Sequence, residues 1–444
     1  MSDRSHQPRP PATLGVWMST ALVVGNTIGI GIFLLPSALA PYGFNALTGW
    51  LATALGCLML AGVFASLARA LPGADGPFGY IRGALGEPAA FVALWCYWIS
   101  VWCANAVIAT GLAAYLQAAF PEAHSLPAPM IATAVLWLFV LVNLFGVRAG
   151  GGVQMLTTAV KLLPMAAVIL LGAWLLISHP SDYARHAPPT PLSLSGTMAA
   201  GTLALFAMLG LECASVPASR VRDPGRTIPL ATLAGTVSTA AIYVAVSVIP
   251  MLLLLQAELA RSPAPFADLF DRFVGQGSGR WLAFFVVISG LGALNGWTLL
   301  LGEVTRTMAA NGSLPSLLAR VNARGAPAAA LVVTCVLATG LALMSYSHSL
   351  IGAFAFLINV STAATLPLYL LCSAALALMW RGARTKLALG LAGVAYCVFA
   401  FVGIGWEAFK WALVLSAVGL PVWAAQRWRR RRIGGAAVYS NPGN

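Results

Sequence analysis

Residues 10 to 68 form a run of 59 positions without a single Asp, Glu, Lys or Arg. A helix needs about 20 mainly apolar residues to cross a lipid bilayer, so this run has room for two membrane spans. Only 8% of the whole chain is charged, whereas a soluble globular protein carries about 25% charged residues. The chain is therefore predicted to be an integral membrane protein, and an ordinary soluble enzyme is excluded.

The apolar runs, divided at charges, polar loops and clusters of proline and glycine, predict an all-α protein with twelve transmembrane helices. The predicted spans are 14–38, 47–69, 89–118, 129–147, 153–177, 196–218, 229–254, 281–307, 328–346, 351–379, 387–405 and 409–426. Because the number of spans is even, both termini are expected on the same side of the membrane.

The net charge of +13 is explained by the positions of the basic residues. Of the 25 Lys and Arg, 19 fall on the side of the two termini and 5 on the opposite side, while Lys161 falls within a span. Cytoplasmic loops of membrane proteins carry the excess of basic residues, so both termini are predicted to be cytoplasmic. The charge therefore gives no support to a nucleic-acid partner, and the lipid bilayer is the expected surrounding.

Catalytic and metal-binding signatures are missing from the sequence. The seven cysteines lie in apolar stretches without a CxxC pair, so neither a disulfide framework nor a metal site is predicted, and no cofactor is expected. No Ser-His-Asp set or phosphate-binding loop is recognisable, so the chain is not expected to be an enzyme. Residues 1–13 are polar and proline-rich, and they are interpreted as a cytoplasmic tail instead of a signal peptide.

The first predicted span is interrupted by glycine. Gly25, Gly29 and Gly31 lie within seven residues, and each costs about 1 kcal/mol relative to alanine in a helix interior. An unwound segment inside a membrane must line protein or water, and its exposed N–H groups attract a carboxylate, as in the discontinuous helices of transporters. The alternative is that these small residues only let neighbouring helices pack closely.

The sixth predicted span has a similar interruption, with Gly210 and a mid-span acid, Glu212, ahead of Pro217. Interruptions five spans apart predict two structural repeats of five helices, and the odd number of helices makes the repeats inverted. The predicted organisation is a cytoplasmic tail (1–13), a first repeat (14–177), a second, inverted repeat (196–379), helices 11 and 12 (387–426) and a basic cytoplasmic tail (427–444).

Six segments carry a resemblance to a known family. They are Gly25–Pro36, Leu71–Tyr80, Gly210–Pro217, Arg222–Pro229, Gly296–Leu300 and Asn311–Pro315. With them the chain resembles the amino acid–polyamine–organocation transporter superfamily, and within it the basic amino acid/polyamine antiporter branch, from Gly15 to about Trp423. The resemblance implies a fold of inverted five-helix repeats around a central site. In this family helices 11 and 12 lie outside the repeats and often form homodimer contacts.

The resemblance also implies which residues bind the substrate. The unwound helix-1 backbone that receives the substrate carboxylate corresponds to Ile28, Gly29, Ile30 and Gly31. The helix-6 backbone that receives the α-amine corresponds to Phe206, Ala207 and Leu209. Further pocket positions are Tyr97 and Asn105 on helix 3, Trp297 on helix 8 and Ile358 on helix 10, with Phe206 and Trp297 as the aromatic residues that stack on the substrate.

Two positions depart from the family pattern. This chain has Ile30 where the family often has serine, and a helix-10 pocket position that is polar in the branch appears as Ile358. Both changes remove a hydroxyl group, which disfavours recognition of a guanidinium group, although aromatic faces still bind a cation. A neutral substrate is the alternative that these two residues favour.

Glu212 and Lys161 are the two charges placed well inside predicted spans, away from the span ends. An ionised side chain at the centre of a span costs about 2.5–3.5 kcal/mol on insertion scales, and such residues usually mark a transport pathway. Glu212 matches a family carboxylate proposed to sense protons and is interpreted as a protonatable switch, with a purely structural carboxylate as the alternative. Lys161 resembles the helix-5 lysine that replaces a sodium ion in sodium-independent members, with snorkelling to the interface as the alternative.

These features predict a secondary transporter of the bacterial inner membrane that works by alternating access. The favoured prediction is an antiporter that exchanges a basic amino acid for its amine product, such as arginine for agmatine. The alternative is a proton-coupled, sodium-independent permease for neutral amino acids. The expected partners are a small amino acid or amine and, for coupling, protons. A nutrient sensor without transport is disfavoured because the longest segments outside the membrane have about 25 residues.

Overall fold

The computed structural model is all-helical, without strands, in the part of the chain that it describes. It describes residues 15–17, 20, 24, 27–71, 74, 76–145, 150–181, 189–210, 223–346 and 349–439. The helices of these residues are α1 (Gly31–Leu39), α2 (Asn45–Ala70), α3 (Gly76–Leu85), α4 (Glu87–Ala119), α5 (Ala128–Leu144), α6 (Gly150–Ser178), α7 (Leu194–Ala207), α8 (Pro224–Leu253), α9 (Gln256–Leu259), α10 (Pro265–Phe273), α11 (Ser278–Ala310), α12 (Ala328–Ser345), α13 (Leu350–Met379), α14 (Arg384–Gly403) and α15 (Trp406–Tyr439).

Within the described residues, eight helices are long and apolar enough to cross a membrane. They are α2, α4, α11, α13 and α14, together with the larger parts of α6, α8 and α15. Four shorter apolar segments, Gly31–Tyr42, Ala128–Leu144, Leu194–Ala207 and Ala328–Met344, overlap the four remaining predicted spans. The chain is a multi-pass membrane protein, while the count of twelve spans and the inverted repeats stay predictions.

The outer helices present apolar side chains to their surroundings. Leu51 and Leu55 of α2, and Leu391 and Val398 of α14, are each more than half exposed. Contiguous apolar surface of this kind is rare on a soluble monomer. A bilayer covers it without cost, because lipid tails are as apolar as these side chains.

Helix α4 is the centre of the bundle. In its apolar part 83% of the residues are buried, compared with 28% for α14 and 17% for the apolar part of α15. Buried hydrogen bonds join α4 to its neighbours: Trp98 Nε1 donates to Thr305 Oγ1 of α11 over 2.8 Å, and Ser361 Oγ of α13 donates to the Ser100 carbonyl over 3.0 Å. Helices α4, α11 and α13 therefore form the interior, and the last two helices lie at the periphery.

Helix α2 crosses α7 where each has a glycine. A Cβ atom on Gly49 would lie 2.6 Å from the Gly201 amide nitrogen, so the two backbones are in contact. Thr53 Oγ1 donates to the Gly201 carbonyl over 2.7 Å. At the start of α7 the Ser193 amide donates to Asn45 Oδ1 over 2.7 Å. These contacts fix the position of α7 and of the residues at its C-terminal end.

Side chains from three other helices contact α1 near its start and directly after its end. Tyr115 OH of α4 donates to the Phe33 carbonyl over 2.9 Å. The Phe33 ring packs edge-on against Phe266 of α10, with ring centroids 5.6 Å apart. Gln256 Nε2 of α9 donates to the Ala40 carbonyl over 2.7 Å. Helix α1 is therefore held independently of the segment that precedes it.

Candidate functional site

The first predicted span is interrupted in the structure just before α1. The Ile28 amide donates to the Val24 carbonyl over 2.9 Å, residues 28–30 are not helical, and α1 begins at Gly31. The N–H groups in the first turn of a helix have no intrahelical partner. The start of α1 therefore presents hydrogen-bond donors in the interior of the bundle.

Helix α7 also ends inside the bundle. It stops at Ala207, and the chain continues through a turn at residues 208–210, in which Gly210 has a φ of 103°. The last carbonyls of a helix lack intrahelical donors, so this end presents acceptors. Glu212, the predicted proton switch, lies outside the described residues, and so does Gly25 of the first-span glycine motif.

A small cavity of about 30 Å³ lies between these two helix ends. Its lining consists of Thr27, Gly29, Gly31, Ile32, Ala104, Ile108, Phe206, Ala207, Leu209, Tyr243 and Trp297. Five distant parts of the chain thus meet, and six of the predicted site residues lie together: Gly29, Gly31, Phe206, Ala207, Leu209 and Trp297.

The helix ends give the cavity two sides of opposite polarity. A helix carries roughly +0.5 elementary charge at its N-terminus and −0.5 at its C-terminus, and each end stabilises a suitable ion by about 0.3–1 kcal/mol, or up to ~2 kcal/mol when partly buried. The N-terminus of α1 and the C-terminus of α7 both border the cavity, and among the described residues that line it no side chain is charged. This arrangement suits a zwitterion, with its carboxylate near Gly31 and its ammonium near Ala207.

Phe206 limits the cavity on the side of α7. A Cβ atom on Gly31 would lie 2.9 Å from Phe206 Cε1, so the ring rests against the backbone where α1 starts. Phe206 and Trp297 are only partly buried, whereas most of their neighbours in the bundle are fully buried. These two aromatic faces lie next to the backbone acceptors at the end of α7, so they are suited to cover a cationic or apolar side chain of a bound molecule.

Ile30 points away from the cavity, although both of its neighbours line it. A Cβ atom on Gly111 of α4 would lie 3.1 Å from Ile30 Cγ2, and one on Gly290 of α11 would lie 2.5 Å from Ile30 Cδ1. The fully buried Ile30 side chain therefore fills the space left by two glycines and holds the unwound segment against α4 and α11. Ile28, which is 1% exposed, does not line the cavity either.

Three further predicted pocket residues do not line the cavity: Tyr97, Asn105 and Ile358. Asn105 follows the lining residue Ala104 on α4 and is 2% exposed, and its Oδ1 atom has no hydrogen-bond partner among the described residues. Ile358 is fully buried in α13. Tyr97 is partly buried and lies two turns before Ala104 on α4.

Lys161 lies on α6 and is 2% exposed. It shares a helix face with Gly172, eleven residues further on, where a Cβ atom would lie 2.6 Å from Ile249 Cδ1 of α8. Helix α6 packs against α8 and α11. The ammonium group is therefore inside the bundle, which argues against an aliphatic stem that reaches out to the membrane surface.

Five lining residues were not among the predicted site residues: Thr27, Ile32, Ala104, Ile108 and Tyr243. Tyr243 of α8 has the most specific contacts. It is fully buried, and its hydroxyl donates to the Thr27 carbonyl over 2.9 Å. Tyr243 thus holds the chain directly before the unwound segment.

The sequence contains a signal for Tyr243. Hydroxyl-bearing residues recur every three or four positions along α8, which is the spacing of one helix face: Thr232, Thr236, Thr239, Tyr243 and Ser247. All five are buried. Polar groups within a membrane span usually face the bundle interior, so this face of α8 could have been predicted to reach the site.

Two larger cavities lie elsewhere. One, of about 260 Å³, is formed by the ends of α3, α4, α11 and α15, and the other, of about 340 Å³, is an open apolar groove between α2 and α14. Neither is lined by a predicted site residue. The smaller cavity is the candidate site because it alone, among these three, lies at the ends of two interrupted spans and brings their backbone donors and acceptors together.

Comparison with known protein families identifies the family of this chain. The family model described as amino acid permease matches residues 14–425. The chain belongs to the amino acid permease family. The match includes all predicted site residues and every helix up to α14, and it confirms the resemblance to the amino acid–polyamine–organocation superfamily.

Individual relatives are similar to the permease over nearly its full length. The putrescine transporter PotE of Escherichia coli (strain K12) is 29% identical over 417 residues, which cover 91% of the permease and 94% of the relative. The PotE protein of Haemophilus influenzae is 28% identical over 416 residues, covering 91% and 95%. The cadaverine/lysine antiporter of Escherichia coli (strain K12) is 28% identical over 435 residues, covering 94% and 96%. These relatives match the basic amino acid/polyamine antiporter branch.

Proposed function

We propose that the permease is an antiporter that exchanges a basic amino acid for its amine product across the bacterial inner membrane, with both termini in the cytoplasm. The single observation that carries the proposal is the cavity between the start of α1 and the end of α7. It offers backbone donors to a carboxylate and backbone acceptors to an ammonium group, and the part of its lining that the structure describes has no charged side chain.

A backbone site suits a pair of substrates that differ by a carboxylate. If an arginine or lysine bound the carboxylate, an amine without that group would leave a buried cation unpaired, which is strongly destabilising. Backbone N–H groups at Gly29 and Gly31 carry only partial charge, so losing the carboxylate costs much less. Lysine and cadaverine, which name one of the relatives, differ in this way, and so do arginine and agmatine.

The cargo reaches the site by alternating access. A cavity of about 30 Å³ has room for only two or three water molecules at ~10–15 Å³ each. Substrate entry therefore requires Phe206, Trp297 or the helices that carry them to move, first towards one side of the membrane and then towards the other. In this proposal the two rings cover the side chain of the cargo while it is bound.

Ion coupling involves the two charges placed within spans. Lys161, buried where α6 meets α8 and α11, takes the place of a sodium ion, so transport is independent of sodium. Glu212 takes up and releases a proton during the cycle. The peripheral helices α14 and α15 are the proposed surface for a homodimer.

Counterflow in proteoliposomes tests the exchange. Vesicles are loaded with unlabelled agmatine, cadaverine or putrescine and diluted into buffer that contains labelled arginine, lysine or ornithine. The buffer salt is either a potassium salt or a sodium salt. Uptake of a basic amino acid that requires its own amine inside the vesicle is the expected result. Labelled alanine, driven by a proton gradient into vesicles without internal substrate, tests the neutral alternative.

A matched pair of variants ties uptake to the cavity. Gly31→Val places side-chain atoms where the Phe206 ring now lies and should abolish counterflow, whereas Gly340→Val lies on α12 where a Cβ atom meets nothing within 4 Å and should retain it. Alanine uptake driven by protons alone would overturn the antiport proposal. Uptake that requires sodium would contradict the role given to Lys161.

A further inference from the structure

The cavity of about 260 Å³ is remote from the candidate site. Its lining is Phe78 of α3, Glu87, Pro88 and Phe91 at the start of α4, Asn311, Gly312 and Ser313 just after α11, and Trp423 and Gln426 of α15. Ala104, which lines the central cavity, lies seventeen residues beyond Glu87 on the same helix, or about 25 Å at ~1.5 Å per residue. The two cavities are separate.

The lining has the chemistry of a cation site. Among the residues whose side chains are described, it contains three aromatic rings and one carboxylate, and no basic residue. The ring centroids of Phe91 and Trp423 are 6.0 Å apart, and the angle between the ring planes is 35°. The two rings therefore line adjacent sides of the cavity. Ammonium groups bind over aromatic faces within about 6 Å of the ring centroid.

One of these rings already holds a cation of the chain itself. The Arg82 guanidinium lies 5.6 Å from the centroid of the Phe78 ring. Phe78 thus already has a cation partner, which leaves the Phe91 and Trp423 rings for the ammonium group of a ligand. The remaining polar groups of the lining, on Asn311, Ser313 and Gln426, are neutral and can accept hydrogen bonds from an ammonium.

The carboxylate of Glu87 is available to a ligand. Glu87 is exposed, and it forms no ion pair or hydrogen bond with any side chain in the described part of the chain. The nearby loop amides are already used within the protein: Asn311 N donates to the Thr307 carbonyl, and Ser313 N donates to the Met308 carbonyl. The Glu87 carboxylate offsets the positive end of the α4 helix dipole, and together with the aromatic faces and the acceptor atoms of the neutral side chains it favours a cation over an anion.

We propose that this cavity is a second binding site, for an organic ammonium group, formed by Glu87 together with the Phe91 and Trp423 rings. The group belongs either to a free amine or to the headgroup of phosphatidylethanolamine. The site does not depend on which substrate the central cavity carries.

Binding is measured on the full-length protein in nanodiscs with and without phosphatidylethanolamine. In discs of phosphatidylglycerol alone, calorimetric titration uses putrescine and tetramethylammonium as probes. In mixed discs, native mass spectrometry counts the phosphatidylethanolamine molecules that stay with the protein. The variants are Glu87→Gln, Trp423→Leu and Trp297→Ala, and the control is Glu407→Gln, because Glu407 is also an exposed glutamate in the first turn of a helix but lines none of the three cavities.

Glu87→Gln and Trp423→Leu are expected to weaken amine binding at least tenfold, or to remove the retained lipid, while Glu407→Gln leaves this binding unchanged. Trp297→Ala removes the part of the putrescine signal that belongs to the central site, and Glu87→Gln should have the same effect in that background. Loss of the amine in phosphatidylglycerol discs identifies a free amine as the ligand, and loss of the retained lipid identifies the headgroup. If wild type and Glu87→Gln bind both probes and the lipid equally, the cavity is an ordinary crevice between helix ends and the proposal is wrong. Since Trp297→Ala alters only the central site, a failure of the antiport proposal leaves these outcomes unaffected.

Discussion

Two tyrosines show how single residues differ in role while making the same contact. Tyr243 OH donates to the Thr27 carbonyl and Tyr115 OH donates to the Phe33 carbonyl, each over 2.9 Å, and both side chains are fully buried. The two bonds lie on opposite sides of the interruption in the first span. Only Tyr243 lines the cavity, so only its bond holds the backbone that is proposed to bind substrate.

Tyr243→Phe is expected to weaken substrate binding. A hydrogen bond contributes about 0.5–1.5 kcal/mol net, which corresponds to a roughly two- to tenfold higher half-saturation concentration in counterflow. Tyr115→Phe removes an equivalent bond and should lower thermal stability by a similar amount while leaving the half-saturation concentration unchanged. Equal effects of both variants on substrate affinity would show that Tyr243 acts only through stability.

At the scale of helices, glycine determines how closely neighbouring elements approach. Gly49 and Gly201 bring α2 and α7 into backbone contact, and Gly111 and Gly290 make room for Ile30. The first pair positions the helix that ends at Ala207, and the second holds the unwound segment in place. Close packing through small residues is therefore observed at glycines outside the first-span motif, while the interpretation of the broken helix as a binding site stays a prediction.

Gly49→Ala should destabilise the crossing of α2 and α7. The added Cβ atom would lie 2.6 Å from the Gly201 amide nitrogen, and because the obstacle is backbone, the helices must separate. Inserting an extra methyl group into a packed interior costs about 1–3 kcal/mol. The melting temperature in detergent should fall for Gly49→Ala and stay close to wild type for Gly340→Ala, whose Cβ atom meets nothing within 4 Å. A fall of equal size in both variants would contradict the crossing geometry.

For the whole molecule, charge and burial vary in two independent directions. Burial falls from the centre, where α4 lies, to the periphery, where α14 and α15 lie. The basic residues are instead segregated along the membrane normal in the predicted topology, with 19 of 25 on the side of the termini. Burial reports on packing between helices, whereas the basic residues report on how the chain is inserted.

The orientation predicts the outcome of fusion experiments in a bacterial host. Green fluorescent protein fused after Asn444 should fluoresce, because it folds in the cytoplasm. Alkaline phosphatase fused within residues 254–277 should be active, because that loop is predicted to lie outside, and it should be inactive when fused within residues 311–327. The reverse pattern of phosphatase activity would overturn the assignment of both termini to the cytoplasm.

The sequence by itself determined the class of the protein. Runs of apolar residues without charge leave a bilayer as the only suitable solvent, and the same runs located the helices to within a few residues, as in the predicted span 89–118 against the observed Glu87–Ala119. The glycine and aromatic motifs were sufficient for the family and for six residues that line the cavity. Local composition and spacing carry this information because they act within one segment of the chain.

Only the tertiary structure decided which way each side chain points. Ile30 lies between two glycines that line the cavity, yet it packs into a space made by Gly111 and Gly290, which are distant in sequence. Tyr243 reaches the site from α8, because α8 is packed beside the unwound segment. The rotation of each helix about its axis depends on all of its neighbours at once, and no pattern within a single span specifies those neighbours.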